Sequence, residues 1–349
     1  MRFSEKLYAL YLLFPYIKKP SFVLSFLFGN KVKIFGYQID VNEYETILQL
    51  LAVKRFSNVF DFEKERIKIS FDKENYFFIS KRFDKTDKML LRLLKEGLTD
   101  GAYFIDENRQ APKQYTKTIK IIQSKNIIET FEGVKFHLDN FGSVVEAFVR
   151  RIHDHYSENL QGKIVVDIGA AVGDTPLYFA SKGAKVYAIE MTDTNYEAML
   201  KNLELNPDLA DKIIPIHMAL GKDEMIDYFD DSLGLVNRQG GASFVKKKYE
   251  SMVKKHVQGT SLGTIRKKYK LEHIDLLKLD CKGGEFFLKE NELSDIDCVK
   301  IEYYSLIKEH KVESLVNMLK KNFDLFTYKH TPNDTSSLMK HGNILARAK

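Results

Sequence analysis

The sequence predicts an α/β protein: a doubly wound, mostly parallel sheet preceded by a smaller α+β N-terminal domain. Three observations predict it. From about residue 160 onward, short apolar runs alternate with helix-period segments, the pattern of a parallel sheet with helices on both faces. A glycine-bearing turn, Gly169-Ala-Ala171-Val-Gly173, joins one such run to a helix. Five runs deliver a polar residue to one end, namely Asp167, Glu190, His217, Asp280 and Glu302, and open α/β sheets bind ligands at that edge.

The elements follow in order. Leu7 to Pro15 and Ser21 to Phe28 are apolar runs separated by Lys18, Lys19 and Pro20, each far short of the 18 or so residues that span a bilayer. No small-residue cleavage site follows the first run, so a signal peptide is a poor match. Two short core helices are the expected reading, with a surface-lying membrane anchor as the alternative, because aromatics and lysines alternate there. Val32–Ile34 and Tyr37–Ile39 flank Gly36 like a hairpin. Tyr44 to Phe56 carries Ile47, Leu48, Leu51 and Ala52 at helical spacing. Residues 67–71 and 76–79 suggest paired strands, Asp87 to Gly97 a helix with a glycine stop, and residues 100–118 a loop. Strands are expected at 119–122, 127–131 and 134–137, and a helical segment from Val144 to Tyr156. Residues 1–135 thus form an accessory domain without a recognisable catalytic motif, and residues 140–349 form the α/β domain.

In that second domain, strands are expected at Ile164–Val166, Lys185–Glu190, Lys212–His217, Ile274–Asp280, Ile296–Glu302 and Phe323–Tyr328, with a short last one at Gly342–Ala346. Helices are expected from Gly173 through Ala180, from Asp193 to Leu205 and from Val312 to Leu319. Between the third and fourth strands, Asp223 to Thr260 is a polar insertion with Gly240, Gly241 and Ser243, read as a lid over the site or an ordinary β-hairpin.

Composition bounds the chemistry. The chain has 349 residues, and 44% are hydrophobic, which excludes wholesale disorder and fits two domains. Cys281 and Cys298 are too few for a disulfide scaffold or a zinc cage, and they fit a reducing, cytoplasmic setting. The net charge of +6 sits entirely in residues 1–150, which hold 25 basic and 19 acidic side chains, whereas residues 151–349 hold 29 of each. The charge therefore says little about chemistry in the second half. His153 and His155 flank Asp154 without other well-spaced ligands, so no metal is expected.

The turn after the first strand fits both dinucleotide and S-adenosylmethionine sites. Gly169 would let the chain turn and approach a ligand, Ala171 keeps the loop small, and Gly173 permits close packing of the helix, whose first residue region includes Asp174. Glu190, at the end of the second strand, is placed to accept hydrogen bonds from ribose hydroxyls; a solvated strand-end glutamate is the alternative. Asp167 would repel a pyrophosphate and attract an ammonium or sulfonium, which favours S-adenosylmethionine over NAD, unless it caps the loop instead.

At these residues the sequence resembles the FkbM-type S-adenosylmethionine-dependent methyltransferases. The resemblance is carried by Val166-Asp-Ile-Gly-Ala-Ala-Val-Gly-Asp174 with Thr175-Pro-Leu-Tyr-Phe-Ala180, Val186-Tyr-Ala-Ile-Glu190, the Asn195-Tyr-Glu197 helix start, Leu203-Glu-Leu-Asn206, Ala219-Leu-Gly221, Gly240-Gly-Ala-Ser243, Ile274-Asp-Leu-Leu-Lys-Leu-Asp-Cys-Lys-Gly-Gly-Glu285 and Lys300-Ile-Glu-Tyr303. It covers roughly residues 140–349. It implies a class I methyltransferase-like fold and methyl transfer to a hydroxyl of a sugar, polyketide or other small molecule. On that pattern Asp167, Gly169, Ala171, Gly173 and Asp174 lie at the methionine end, and Glu190 and Met191 at the ribose. His217, Met218 and Ala219 approach the adenine. The family usually has Glu where this chain has Lys282, a charge reversal beside the acceptor that points to an anionic acceptor.

Transfer to an alcohol needs alignment and a proton acceptor. Asp280 and Glu302 are the candidates by position. Asp280 is alternatively a support for the cofactor ammonium, and Glu302 an orienting residue. Glu285 is read as a helix cap or an acceptor ligand, Tyr303 and Tyr304 as walls or packing, and His310 as a loop base or a surface histidine. Cys281 lacks a partnered histidine in sequence, against a nucleophilic role. The runs Lys246–Lys248 and Arg266–Lys268 read as phosphate contacts or solvated faces. Three other functions compete: an RNA methyltransferase with a basic N-terminal docking domain, a non-catalytic protein that keeps the nucleotide fold, and a dehydrogenase. The fourth strand ends Leu-Asp-Cys-Lys rather than in an Asn-Pro-Pro-type box, which disfavours base methylation, and no RNA-binding signature is evident.

Overall fold

The computed structural model describes residues 3–14, 20–34, 37–56, 59–63, 66–71, 76–80, 84–106, 117–154, 159–230, 242–243, 253–305, 311–328 and 340–349. The chain divides into two compact units, residues 1–150 and 151–349.

In the first unit, helices Phe3–Leu13 and Pro20–Phe28 precede the antiparallel pair Lys31–Ile34 and Tyr37–Asp40. The two helices are not the core elements that their composition suggests. Ala9 and Phe26 are buried, but Phe3, Leu7, Tyr8, Tyr11, Phe14, Leu24 and Phe28 are exposed. The polar residues Ser4, Glu5 and Lys6 are consecutive and so point to different sides of the first helix, and the second is apolar but for Ser21 and Ser25. The sequence therefore does not reveal which face is covered. Helix Tyr44–Phe56 spans the expected residues. A three-stranded antiparallel sheet, Val59–Phe62, Arg66–Ser70 and Tyr76–Ser80, adds a strand that the sequence reading lacks. Helix Lys85–Thr99 starts in a capping box at Asp84 and Asp87 and runs through Gly97 rather than stopping there. A Cβ on Gly97 would lie 2.5 Å from Phe104 Cζ, so the missing side chain makes room for an aromatic ring. The expected loop at 100–118 contains strand Tyr103–Asp106, which pairs in parallel with Thr118–Ile122. Ile127–Thr130 and Lys135–His137 complete that four-stranded sheet, and Phe141–Val149 is helical.

The second unit is an α/β domain around a mixed seven-stranded sheet. In chain order its strands are β1 (Ile164–Ile168), β2 (Lys185–Glu190), β3 (Ile213–His217), β4 (Ile274–Leu279), β5 (Ile296–Ser305), β6 (Phe323–Tyr328) and β7 (Lys340–Ala348). They lie in the order β3-β2-β1-β4-β5-β7-β6. The first five pair in parallel; β7 is antiparallel to both β5 and β6. The inner strands are almost wholly apolar because they are covered on both faces. Val165, Val166, Ile168, Val186, Ile189, Leu277, Leu279, Val299 and Ile301 are all at most 1% exposed.

The helices are α1 (Asp174–Ser181), α2 (Asp193–Glu204), a single turn Pro207–Ala210, α3 (Leu262–Tyr269) and α4 (Val312–Lys320). Within the insertion after β3, Met225–Asp230 and Val253–Thr260 pair antiparallel, and Ala242–Ser243 pairs with the first of them. This is the hairpin alternative for the base of the insertion. Gly240, Gly241 and Lys246–Lys248 lie outside the described residues, as do His155, Tyr156 and His310.

Candidate active site

Gly169 leaves β1 with φ +84, and the amides of Gly169 and Ala170 both donate to Ile189 O at 2.9 Å. A Cβ at Gly169 would fall 1.9 Å from the carbonyl oxygen of Asp280. The missing side chain thus makes room for the chain leaving β4, and the positive φ supplies the sharp turn that the sequence predicts. Ala171 is also left-handed, at φ +45, which aims its amide at Glu190 Oε2, 2.9 Å away. Gly173, at φ +85, caps α1, and a Cβ there would meet Met199 Cγ of α2 at 2.9 Å. Asp174 opens α1, buried at the positive end of the helix dipole.

Asp167 does not present its charge to a ligand. It is wholly buried, accepts a hydrogen bond from Thr175 Oγ1, and is ion-paired with Lys278 Nζ at 2.8 Å. Burial opposes the Lys278 charge, but Asp167 and Asp280 outweigh it and raise the ammonium pKa. Lys278 also donates to Gly169 O at 2.9 Å, so one buried cation ties β1, β4 and the loop together. The argument from an exposed Asp167 charge to a sulfonium thus loses its premise.

Glu190 and His217 are partners in register at the ends of β2 and β3. Glu190 is buried, which raises its carboxyl pKa, and it accepts from Ala171 N, Thr192 N and Thr192 Oγ1 at 2.8–2.9 Å. Its neighbour Met191 is partly buried, and its carbonyl lies 3.2 Å from His217 Nε2. The His217 ring stacks on Tyr196, with centroids 4.6 Å apart and planes at 15°. Met218 donates its N–H to Glu190 O at 3.2 Å. Ala219 packs with Tyr228 and Val257 in a small satellite core, so its side chain serves the hairpin. A buried carboxylate beside an aromatic–imidazole pair and two methionines suits an adenosine, with Glu190 for the ribose and the rings and thioethers for the base. Tyr196 belongs to a segment that carries the family resemblance, but the sequence reading gives it no role at the site.

The acceptor end lies on β4, β5 and the turn after β4. Lys282 at φ +49 and Gly283 at φ +110 fold the chain back on itself. Lys282 Nζ then sits 2.6 Å from Asp280 Oδ1 and 3.9 Å from the centroid of the Tyr304 ring. Burial would raise the Asp280 carboxyl, yet Lys282 and Lys278 outweigh it and hold it below its usual range. The Lys282 charge that suggested an anionic acceptor is matched by Asp280. Burial raises the Tyr304 phenol pKa, and its hydroxyl donates to Glu302 Oε1. The two candidate bases are thus linked through Lys282 and Tyr304.

Glu285 is the helix cap of the two sequence readings, lying in the first turn of the short helix Gly284–Phe287 and accepting from the N-cap amide. Fully buried, it accepts from Gly283 N at 2.8 Å and Tyr304 N at 2.7 Å, pinning the turn to β5. Burial pushes its carboxyl up to about 7. Burial likewise raises the Cys281 thiol well above its usual range, which keeps it neutral and unreactive. Opposite Glu302 on β7 lies Asn343, 3% exposed, with its Nδ2 lacking a hydrogen-bond partner among the described residues. Sequence reasoning passed over it; an asparagine within an apolar strand was the signal. Lys300, two residues before Glu302, is buried against His153, whose Nδ1 lies 3.1 Å from Nζ.

Residues 167–323 match the family model of the methyltransferase FkbM domain. The C-terminal part of the chain carries a methyltransferase domain of this type, whose methyl donor is S-adenosylmethionine. No curated protein matches the chain. Among solved structures it is similar to an rRNA methylase from Streptococcus thermophilus, at 15% identity and TM-score 0.36, covering 56% of this chain and 93% of that one. It is also similar to precorrin-6y C5,15-methyltransferase from Geobacter metallireducens, at 10% identity and TM-score 0.33, covering 58% and 88%. A third is precorrin 8w decarboxylase from Methanobacterium thermoautotrophicum, at 14% identity and TM-score 0.32, covering 58% and 89%.

Proposed function

From an FkbM-type domain over residues 167–323 as the premise, we propose that the protein methylates a hydroxyl oxygen of a sugar or other small molecule, with Glu302 as proton acceptor. The observation that carries the assignment is the division of labour between the two carboxylates. Asp280 is held ionised by Lys282 and is a weak base, so it serves to orient and balance charge. Glu302 instead accepts from the Tyr304 hydroxyl, feels the Lys282 charge at longer range, and faces Asn343 across the strand pair.

S-adenosylmethionine supplies an activated methyl group when bound. Glu190 holds its ribose, and His217, Tyr196, Met191 and Met218 border its base. Glu302 would take up the hydroxyl proton of the acceptor as that oxygen is methylated, so that no free alkoxide has to form first. The turn at Lys282–Glu285 keeps Asp280 and Tyr304 in place through the Lys282 and Glu285 contacts. The strand order, reversing at β1, supports a doubly wound, class I methyltransferase-like domain, and residues 1–135 act as an accessory domain that selects the acceptor. Two free cysteines agree with a cytoplasmic setting.

The test is a labelled-methyl transfer screen of the full-length protein against separated glycan, small-metabolite and RNA fractions. Label in the glycan or metabolite fraction supports the proposal; label in RNA alone overturns it. Glu302→Gln should lower kcat by about a hundredfold or more, with S-adenosylhomocysteine binding retained. Full turnover in that variant removes Glu302 from the role.

A further inference from the structure

Helix Phe3–Leu13 and helix Pro20–Phe28 carry six of the exposed large apolar side chains found among the described residues of the chain, and Phe14, just past the first helix, is a seventh. Phe3, Leu7, Tyr11 and Phe14 recur at i, i+4, i+8 and i+11, so they run along one side of the first helix, while buried Ala9 marks the opposite side. Leu24 and Phe28 repeat the spacing on the second helix. Tyr11, Phe14 and Phe28 are each 75% exposed.

The pair is held together as a unit. Lys6 Nζ reaches Leu27 O at 3.2 Å and Gly29 O at 3.0 Å, occupying the carbonyl end of the second helix. The Phe3 and Phe28 rings meet at 6.4 Å, and Phe26, fully buried and stacked on Phe22, fixes the inner side. Exposure of the outer aromatics is therefore a property of an ordered surface.

Charge identifies the occupant. Residues 1–33 contain Arg2, Lys6, Lys18, Lys19, Lys31 and Lys33 against the single acid Glu5, a net of +5. Nearly all of the basic excess of residues 1–150 thus falls, along the sequence, within or next to the two helices. Lys31 and Lys33 are exposed on the strand that follows the second helix. Neither helix is long and apolar enough to cross a bilayer. Short helices with an aromatic face flanked by lysines match the headgroup boundary of an anionic membrane, where Tyr and Phe enter the interface and each Lys gains from the surface potential.

We propose that the helix pair 3–28 docks the protein on an anionic lipid surface. The proposal is independent of the methyl-transfer reading, since no residue of 151–349 enters it. The test is co-sedimentation of the full-length protein with vesicles of phosphatidylcholine alone and of phosphatidylcholine mixed with phosphatidylglycerol. Binding should favour the mixed vesicles by about tenfold or more and weaken with added salt. Tyr11→Ser/Phe14→Ser and, separately, Lys31→Glu/Lys33→Glu should each reduce it about tenfold, with unfolding midpoint and S-adenosylhomocysteine binding unchanged. Should either pair misfold, Leu24→Ser/Phe28→Ser and the salt dependence of the unaltered protein carry the test. Failure to sediment with the mixed vesicles overturns the proposal. So does a dimer in solution that Tyr11→Ser/Phe14→Ser converts to monomer, because a second copy would then be the occupant.

Discussion

Glu285 gives the domain a stability that depends on pH in an unusual direction. Its carboxyl ionises near its ordinary value of 4.5 in the unfolded chain but at about 7 in the fold, because burial disfavours the charge. Below pH 4.5 both states are protonated; between 4.5 and 7 only the unfolded chain releases the proton. This group therefore lowers stability as pH rises through that window, by about 3 kcal/mol once both states are ionised. Urea unfolding across the window should show the decline, and Glu285→Gln should flatten it. Lys278→Met should cost about 3–5 kcal/mol by stranding the buried Asp167 charge, and Lys278→Met/Asp167→Leu should recover much of the loss in the same assay. The sequence displayed Asp167, Gly169 and Glu190 because a strand, a turn and a second strand lie close along the chain. It did not display the pairing of Asp167 with Lys278, nor of Asp280 with Lys282 across a left-handed turn. Those depend on strand register and on a backbone conformation that side-chain chemistry does not announce.

At the scale of elements, α3 shows how a basic run can be structural. Arg266 donates to the carbonyls of Leu271, Glu272, Glu292 and Ser294 at 2.6–3.1 Å, tying the end of the helix to the approaches of β4 and β5. The Arg266 member of that run thus goes to backbone rather than phosphate. Arg266→Met should destabilise the domain by about 2–4 kcal/mol, measured by urea unfolding, because several carbonyls lose their donor together, whereas Lys268→Met should change little. Strands β2 and β6 were legible to their end residues, since an apolar run in β2 and aromatic and aliphatic residues spaced by Asp324 and Thr327 in β6 are bounded by polar turns. The hairpin in the insertion was legible only as one of two readings. The direction of β7 was not legible at all: an apolar run carries no sign, and only the register Glu302 to Asn343 fixes it as antiparallel.

At the scale of the whole molecule, the two compact units divide charge and chemistry. Residues 1–150 hold the net charge of +6, and every candidate cofactor and catalytic residue lies in 151–349. A polypeptide of residues 151–349 should therefore bind S-adenosylhomocysteine within about threefold of the full-length protein by calorimetry. A much larger loss would mean that the first unit contributes to the cofactor site. The sheet order has a further consequence for biosynthesis. Because β7 lies between β5 and β6, the ribosome releases β5 and then β6 before the strand that joins them exists. For on the order of seconds the nascent domain carries β5 with an open edge, a template for pairing with other chains. Completion of the fold then rests on a late insertion rather than on growth from one side, and folding helpers that shield an unpaired strand would act on this protein at that moment.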